Sequence, residues 1–139
     1  MDVLTCGGFD PLHIGHLRLL QHASLLGDRL IVVLNDDAWL TRKKGSPFMR
    51  QEERLEIISA LRCVDHAFIL HTQADHVADA IMQVRPQIFA KGGDRRSPAD
   101  LPRAEFNACQ EVGATIMFGI GGDKIQSSSW LVDGHHARL

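Results

Sequence analysis

The amino-acid sequence predicts an α/β fold, a doubly wound parallel sheet of five strands with helices on both faces. Short apolar runs alternate with longer segments whose apolar residues recur at helical spacing, as expected for successive βαβ units. Leu30–Leu34 is a continuous apolar run, which is typical of a strand covered on both sides. Glycine-rich or charged segments follow the predicted strands. Because such sheets bind ligands at the carboxyl ends of their strands, we expect the chemistry at that edge.

The first predicted strand, Val3–Cys6, is followed by a helix over Ile14–Leu26, where apolar residues recur at helical spacing. Gly27 stands where this helix should end, and glycine is the usual residue of a helix C-cap. Leu30–Leu34 is the second predicted strand. Residues 35–49 are rich in lysine, glycine, serine and proline, and we expect a loop with one helical turn at most.

The rest of the chain continues the alternation of helix and strand. The predicted helices are about Arg50–Leu61, Ala74–Val84 and Arg103–Val112, and the predicted strands are Ala67–Leu70, Gln87–Ala90 and Thr115–Phe118. Pro86 marks the end of the second of these helices. A closing helix is expected beyond Gly122.

Length and composition predict one globular domain over residues 1–139. The chain is 45% apolar and 23% charged, which is ordinary, and its net charge of −2 disfavours a nucleic-acid surface. The three cysteines are far apart and include no C-x-x-C pair, which favours reduced thiols in a cytoplasmic protein over disulfides or a zinc site. No apolar run approaches the ~18 residues of a membrane span. We therefore expect no membrane and no nucleic-acid partner.

Residues 7–16 read Gly-Gly-Phe-Asp-Pro-Leu-His-Ile-Gly-His, between a predicted strand and a predicted helix. Gly7 and Gly8 let a ligand approach the backbone, and the helix start offers free N–H groups to an anion. His13 and His16 are three residues apart and project from the same side of the first turn. Two imidazoles there can donate hydrogen bonds to phosphate and stabilise charge that grows during group transfer. The less favoured interpretation is that a histidine caps the helix or lies on the surface.

The segment resembles the G-x-F-D-x-x-H-x-G-H signature of the cytidylyltransferase-like nucleotidyltransferases, and His13–His16 corresponds to their HIGH motif. Further similarities to the adenylyltransferase domain that makes ADP-heptose follow in order at Leu26–Asp37, Lys44-Gly45, Glu52–Arg54, Val64-Asp65, Lys91–Asp94 and Ser127–Ser129. The resemblance covers nearly the whole chain and implies a Rossmann-like nucleotidyltransferase fold. The sequence departs from the family at Gly122–Gln126, which replaces an acidic-glycine lead-in, and at Trp130–Val132, which lacks a basic residue.

The resemblance implies a role for each matched residue. His13 and His16 would contact the α-phosphate and the bridging oxygen, while Lys44, on a mobile basic loop, would close over the phosphates as the third catalytic residue. Asp94 would hold the ribose hydroxyls. Arg54 would either reach the substrate phosphate or pair with a nearby glutamate on a solvated face. The predicted nucleotide-binding residues are Gly7, Gly8, Phe9, Asp10, Gly15, Lys91, Gly92, Gly93, Asp94, Ser127, Ser128 and Ser129.

The implied reaction is transfer of a nucleoside monophosphate from a nucleoside triphosphate, with ATP favoured over CTP, to a sugar phosphate such as heptose 1-phosphate. Pyrophosphate is released, and Mg²⁺ is expected on the nucleotide phosphates, since the sequence shows no dedicated metal cage. A homodimer is expected from the habit of the family. The alternatives are a CTP-dependent enzyme of the glycerol-3-phosphate type and a nucleotide-binding module without turnover. Class I aminoacyl-tRNA synthetases also carry HIGH, but 139 residues leave no room for an anticodon-binding domain.

Overall fold

A computed structural model of the chain describes residues 1–93, 95–122, 128, 131 and 132. Its strands, all parallel, are β1 (Asp2–Gly7), β2 (Arg29–Asn35), β3 (His66–Leu70), β4 (Ile88–Gly92) and β5 (Thr115–Ile120). Its α-helices are α1 (Ile14–Ser24), α2 (Asp37–Lys44), α3 (Gln51–Ser59), α4 (Ala78–Val84) and α5 (Arg103–Val112), with a 3₁₀ turn at Pro98–Asp100. The predicted fold class is confirmed.

The order of the strands in the sheet, β3-β2-β1-β4-β5, determines where a ligand can bind. From β1 the chain winds outwards to β2 and β3, then crosses back to add β4 and β5 on the other side. The order therefore reverses between β1 and β4, and the connections after these strands leave in opposite directions. A crevice opens at such a switch point, outside the carboxyl ends of the strands.

Two apolar layers hold the sheet between its helices. Successive side chains of a strand point to opposite faces, so each strand contributes to both layers. One layer packs the sheet against α4 and α5 and includes Leu4, Ile31, Val33, Phe89, Ile81 and Cys109. The other packs it against α1 and α3 and includes Val3, Val32, Leu34, Ala90, Leu20 and Ile58. Helix α1, which follows His13 and contains His16, therefore packs on the same face of the sheet as α3.

The expectation of a loop at residues 35–49 is wrong, because Asp37–Lys44 forms the helix α2. Asp36 is its N-cap, and its carboxylate accepts the N–H of Trp39 at 2.8 Å. Asp37 lies in the first turn and three basic residues lie in the last, which complements the helix dipole. Since Leu40 is its one buried residue, the helix has no apolar periodicity to reveal it.

Two further boundaries differ from the sequence prediction for local reasons. The C-cap of helix α1 is Leu25 and not Gly27. Glycine is needed at position 27 for a different reason, because a Cβ there would lie 2.5 Å from the carbonyl oxygen of Met1. Helix α4 begins at Ala78 instead of Ala74. The N–H of Ala74 is bound by the hydroxyl of Thr72 at 3.1 Å, a local contact that competes with helix formation.

The turn after β5 provides a test of how closely the backbone packs there. Gly121 and Gly122 both have left-handed φ angles, +88° and +86°. A Cβ on Gly121 would lie 2.9 Å from Cα of Leu19 on α1, whereas one on Gly122 would meet nothing within 4 Å. We predict that Gly122→Ala lowers the free energy of unfolding by about 1–2 kcal/mol, the cost of a left-handed alanine. Gly121→Ala should lower the free energy of unfolding by about 1–3 kcal/mol more than Gly122→Ala does, because the turn after β5 must move away from the backbone of α1.

Urea denaturation of the two variants measures the difference. The left-handed backbone is common to both positions, so the difference isolates the contact with α1. Equal losses would show that β5 and α1 do not pack this closely.

Candidate active site

Residues 7–16 are called the motif below. Its two histidines form the N-terminal cap of α1. Nδ1 of His13 accepts the N–H of Gly15 at 3.0 Å, and Nδ1 of His16 accepts the N–H of His13 at 3.3 Å. The rings stack with their centroids 3.7 Å apart. A neutral imidazole whose Nδ1 accepts a hydrogen bond carries its proton on Nε2. The capping interpretation is thus correct, and the proton of each ring lies on Nε2, the nitrogen that does not take part in the cap.

The surroundings of His16 keep its ring uncharged. Phe9, which is buried, packs edge-on against the ring at 4.9 Å between centroids. Burial, and then the neighbouring His13, lower the pKa of His16 from 6.5 to about 3. At neutral pH the residue is therefore a hydrogen-bond donor without positive charge.

Gly7 and Gly8 of the motif lie in tight contact with neighbouring side chains. A Cβ on Gly7 would lie 3.1 Å from the ring of Phe9, and one on Gly8 would lie 3.0 Å from Leu40 of α2. Phe9 has a left-handed φ of +52°, and its ring lies against Gly7. The loop is thus held closely against both α1 and α2.

The carboxylate of Asp10 joins the motif to the segment after α2. It accepts the N–H groups of Phe48 at 2.6 Å and Met49 at 2.5 Å, and Nζ of Lys44 lies 2.9 Å away. Burial alone would raise the pKa of Asp10, but Lys44 and the two N–H groups together hold it below its ordinary value. In the structure this carboxylate is therefore bound by protein groups, whereas the resemblance assigns it to the nucleotide.

The two neighbouring lysines point to different places. Lys44 is the last residue of α2, not part of a loop, and its Nζ also donates to the carbonyl of Asp10 at 2.8 Å. Lys43 lies over the ring of Trp39 and 3.7 Å from the carboxylate of Asp75. Of the two, Lys44 is the lysine that faces the motif.

Arg54 is fully buried, so its predicted pairing on a solvated face is wrong. Nε donates to the carbonyl of Met49 at 3.0 Å, and Nη1 donates to the carbonyls of Gly8 at 2.9 Å and Asn35 at 2.7 Å. Nη2 pairs with the carboxylate of Asp37 at 2.7 Å. The guanidinium therefore joins the motif loop, the end of β2, the start of α2 and the segment before α3. The alternative, contact with a substrate phosphate, stays a prediction.

The carboxyl end of β4 holds the K-G-G part of K-G-G-D. Gly93 borders a cleft of about 290 Å³ that is also lined by Arg96, Phe118, Gly119 and Gly122. Lys91 turns away from this cleft towards the interior, where its Nζ is 3.7 Å from Sγ of Cys6 and from Oε1 of Glu105.

The predicted serine stretch reaches the motif at one described residue. The hydroxyl of Ser128 donates to the carbonyl of Pro11 at 2.9 Å, across 117 positions of sequence. Asp94, Ser127 and Ser129 lie outside the described residues. The structure thus brings together His13, His16, Asp10, Lys44 and Ser128 around one loop.

Sequence reasoning missed two acidic residues of this edge. Asp37 pairs with Arg54, and its place directly after the predicted strand β2 was the available signal. Glu105 is buried on α5 beside Ala108 and Cys109, on the apolar stripe of that helix. An acidic residue on an inward-facing stripe indicates a buried partner.

Residues 1–93 and 95–122, with 128, 131 and 132, contain no cluster of three or more histidine, cysteine or acidic side chains able to hold a metal. Across the same residues no helix has the length and apolar character needed to cross a membrane.

Comparison with known families tests the sequence resemblance directly. Residues 4–116 match the family described as Cytidylyltransferase-like. The chain belongs to this family. The match includes the HIGH segment, α2, Arg54 and the end of β4. The family and the enzyme class, a nucleotidyltransferase, are therefore confirmed for the cytidylyltransferase-like domain described above.

The cytidylyltransferase-like domain is similar to proteins named HldE. It is 44% identical over 94 residues, 66% of the chain, to the bifunctional protein HldE of Pelobacter propionicus. To HldE of Pseudomonas paraeruginosa it is 37% identical over 123 residues, 87% of the chain. The chain spans about a fifth of the length of these relatives, 19% and 23%.

Solved structures agree with the fold. The lipopolysaccharide core biosynthesis protein from Thermoplasma volcanium matches with a TM-score of 0.68 and 31% identity, over 86% of this chain and 93% of that one. A protein of unknown function from Archaeoglobus fulgidus matches with a TM-score of 0.56 over 89% of this chain and 99% of that one. At 15% identity it supports the fold alone.

The partly buried, uncharged His16 predicts how stability depends on pH. An unfolded chain protonates this histidine near pH 6.5, and the folded cytidylyltransferase-like domain protonates it near 3, so the unfolded state binds more protons between these values. The free energy of unfolding must therefore fall as the pH falls through this window. Between neutral pH and about pH 5, we expect the free energy of unfolding of His16→Asn to fall by about 1–2 kcal/mol less than that of the wild type.

Urea denaturation at several pH values measures the two slopes. His22→Asn, on the exposed side of α1, controls for exchanging a histidine on this helix. If the free energy of unfolding of His16→Asn changed with pH as steeply as that of the wild type, folding would not keep His16 uncharged.

Proposed function

We propose that the domain transfers the AMP group of ATP to a sugar phosphate such as heptose 1-phosphate and releases pyrophosphate. The observation that carries the chemistry is the position of His13, His16 and the Lys44 ammonium around one loop, at the switch point of the sheet. The choice of a sugar phosphate is supported by the similarity to HldE and to the lipopolysaccharide protein. The choice of ATP is supported by the K-G-G-D resemblance.

In the proposed reaction, a phosphate oxygen of the acceptor attacks the α-phosphorus, and the bond from that phosphorus to the bridging oxygen breaks. The acceptor phosphate is already ionised at neutral pH, so no general base is needed. Catalysis of this kind depends on positioning and on electrostatic stabilisation. His13 and His16 would donate from Nε2 to the α-phosphate and the bridging oxygen, where negative charge increases.

Lys44 would supply the positive charge that the neutral histidines lack. An ammonium group has three donors, and two of them already meet the carbonyl and the carboxylate of Asp10. The third can meet a phosphate oxygen while Asp10 keeps the side chain in place. Asp10 therefore serves this reaction by positioning Lys44.

The nucleoside would occupy the cleft beside Gly93, with Gly92 and Gly93 against the base and Asp94 on the ribose. We propose that Ser127–Ser129 bind the β- and γ-phosphates, supported by the contact of Ser128 with Pro11. Mg²⁺ would neutralise part of the phosphate charge. The oxygens of Asp10 are bound by three protein donors, so we propose that phosphates and water supply the metal ligands. A cytoplasmic location is proposed from the cysteine pattern, and a homodimer from the family resemblance.

A panel of reactions tests the proposal. Pyrophosphate release is measured with ATP or CTP, each mixed with heptose 1-phosphate, other sugar 1-phosphates or glycerol 3-phosphate. Release with ATP and a sugar 1-phosphate supports the proposal. Release with CTP and glycerol 3-phosphate would support the alternative cytidylyltransferase, and nucleotide binding without release in any mixture would support a binding module.

The two lysines provide a matched pair for the mechanism. We predict that Lys44→Ala raises the activation barrier by about 3–4 kcal/mol, as for the loss of a strong transition-state donor. The loss should fall on kcat more than on KM, because the charge on the leaving oxygen builds up as the bond breaks. Lys43→Ala should cost under about 1 kcal/mol, in keeping with an exposed ion pair.

Steady-state kinetics on both variants decides between three accounts. Equal losses would indicate a diffuse basic patch. A change in KM alone would mean that Lys44 contributes to nucleotide binding and not to catalysis.

A further inference from the structure

A buried group of charged and thiol side chains lies beneath the end of β4, on the face of the sheet opposite the histidines. Nζ of Lys91 is 3.7 Å from both Sγ of Cys6 and Oε1 of Glu105, and lies 5.1 Å from the centroid of the Phe89 ring. The side chains of Lys91 and Glu105 are 11% and 5% exposed. The mechanism proposed above uses none of these contacts.

The face on which Lys91 lies argues against a contact with the phosphates. Phe89 belongs to the apolar layer under α4 and α5, and Cys6 packs against that layer. His13 and His16 begin α1, whose buried residues belong to the layer on the opposite face. The Lys91 ammonium therefore packs on the face of the sheet opposite to the helix that the histidines cap.

Glu105 connects three elements through one carboxylate. Oε2 accepts the N–H of Val77, directly before α4, at 3.0 Å. Among the residues that the structure describes, Oε1 accepts no hydrogen bond, and its charge faces Lys91. Burial alone would lower the pKa of Lys91, but Cys6 in its thiolate form and the Glu105 carboxylate raise it above its ordinary value, despite the nearby Arg95. The lysine is therefore charged, and the pair ties α5 and the start of α4 to the end of β4.

We propose that Lys91 and Glu105 form a buried ion pair that positions the Gly92-Gly93 turn for the nucleotide, and that Lys91 does not touch the nucleotide. In K-G-G-D, the lysine then acts through the glycines that follow it. Lys91 is a positioning residue in this account. The role of the turn rests on the proposed function, whereas the ion pair itself does not.

Three variants separate positioning from direct contact. Lys91→Met leaves the Glu105 charge buried alone, and Glu105→Gln leaves the Lys91 charge alone while its amide oxygen can still accept from Val77. The double variant Lys91→Met/Glu105→Gln leaves neither charge. Breaking one side of a buried pair is costly, whereas removing both is tolerated. Lys43→Met, at an exposed pair with Asp75, is the control.

We expect each single variant to lower Tm by about 10 °C and to weaken ATP binding about tenfold in calorimetry, and the double variant to recover most of both losses. Rescue in the double variant is the result that a direct phosphate contact would not give. If Lys91→Met and the double variant bind ATP equally weakly while Glu105→Gln binds like the wild type, Lys91 touches the nucleotide and the proposal is overturned.

A second readout needs no nucleotide. The amides of Gly92 and Gly93 should exchange hydrogen faster in both single variants and return towards wild-type rates in the double variant. If the wild type binds neither ATP nor CTP, the proposed function fails, but coupling in Tm and in exchange would still support the ion pair. If the two substitutions had additive effects on Tm and on hydrogen exchange, the proposal of a coupled ion pair would be overturned.

Discussion

The carbonyl groups at the carboxyl edge of the sheet need hydrogen-bond donors, and the buried guanidinium of Arg54 supplies several of them. It binds carbonyls of Gly8 after β1, Asn35 at the end of β2 and Met49 before α3, and pairs with Asp37. Buried carbonyls left without donors would oppose folding of this edge. Arginine suits the position because its planar group presents five donors in fixed directions.

The second centre at this edge is the carboxylate of Asp10, which lies in the loop after β1. Phe48 and Met49 donate to it from the backbone, while Lys44 donates from a side chain. The same short segment is thus held at Met49 by both centres, through its N–H and its carbonyl. Asp10 therefore holds both the end of α2, through Lys44, and the segment that follows this helix.

Much of the fold could be predicted from the sequence because it is encoded locally. Helix α5 has the predicted bounds, and each predicted strand lies within or one residue beyond an observed one, since the apolar runs match the buried faces. Helix α2 was missed because its signals are a capping aspartate and end charges. The histidine pair of the site was found for the same local reason, as three-residue spacing at a helix start fixes their relation. Arg54, Asp10 and Lys91 each also contact residues 34 to 85 positions away in the sequence, and no short pattern records which partners they meet.

The cap formed by His13 and His16 has a consequence for ligand binding. Each ring is held through Nδ1 by a backbone N–H, so its orientation is already fixed when the helix forms. A ligand that binds at Nε2 need not immobilise two side chains, and avoids about 0.5–1.5 kcal/mol of lost rotamer freedom for each. The conformational entropy of these groups is given up once, during folding. Differences in affinity among nucleotides should then originate in the parts of the ligand furthest from the histidines.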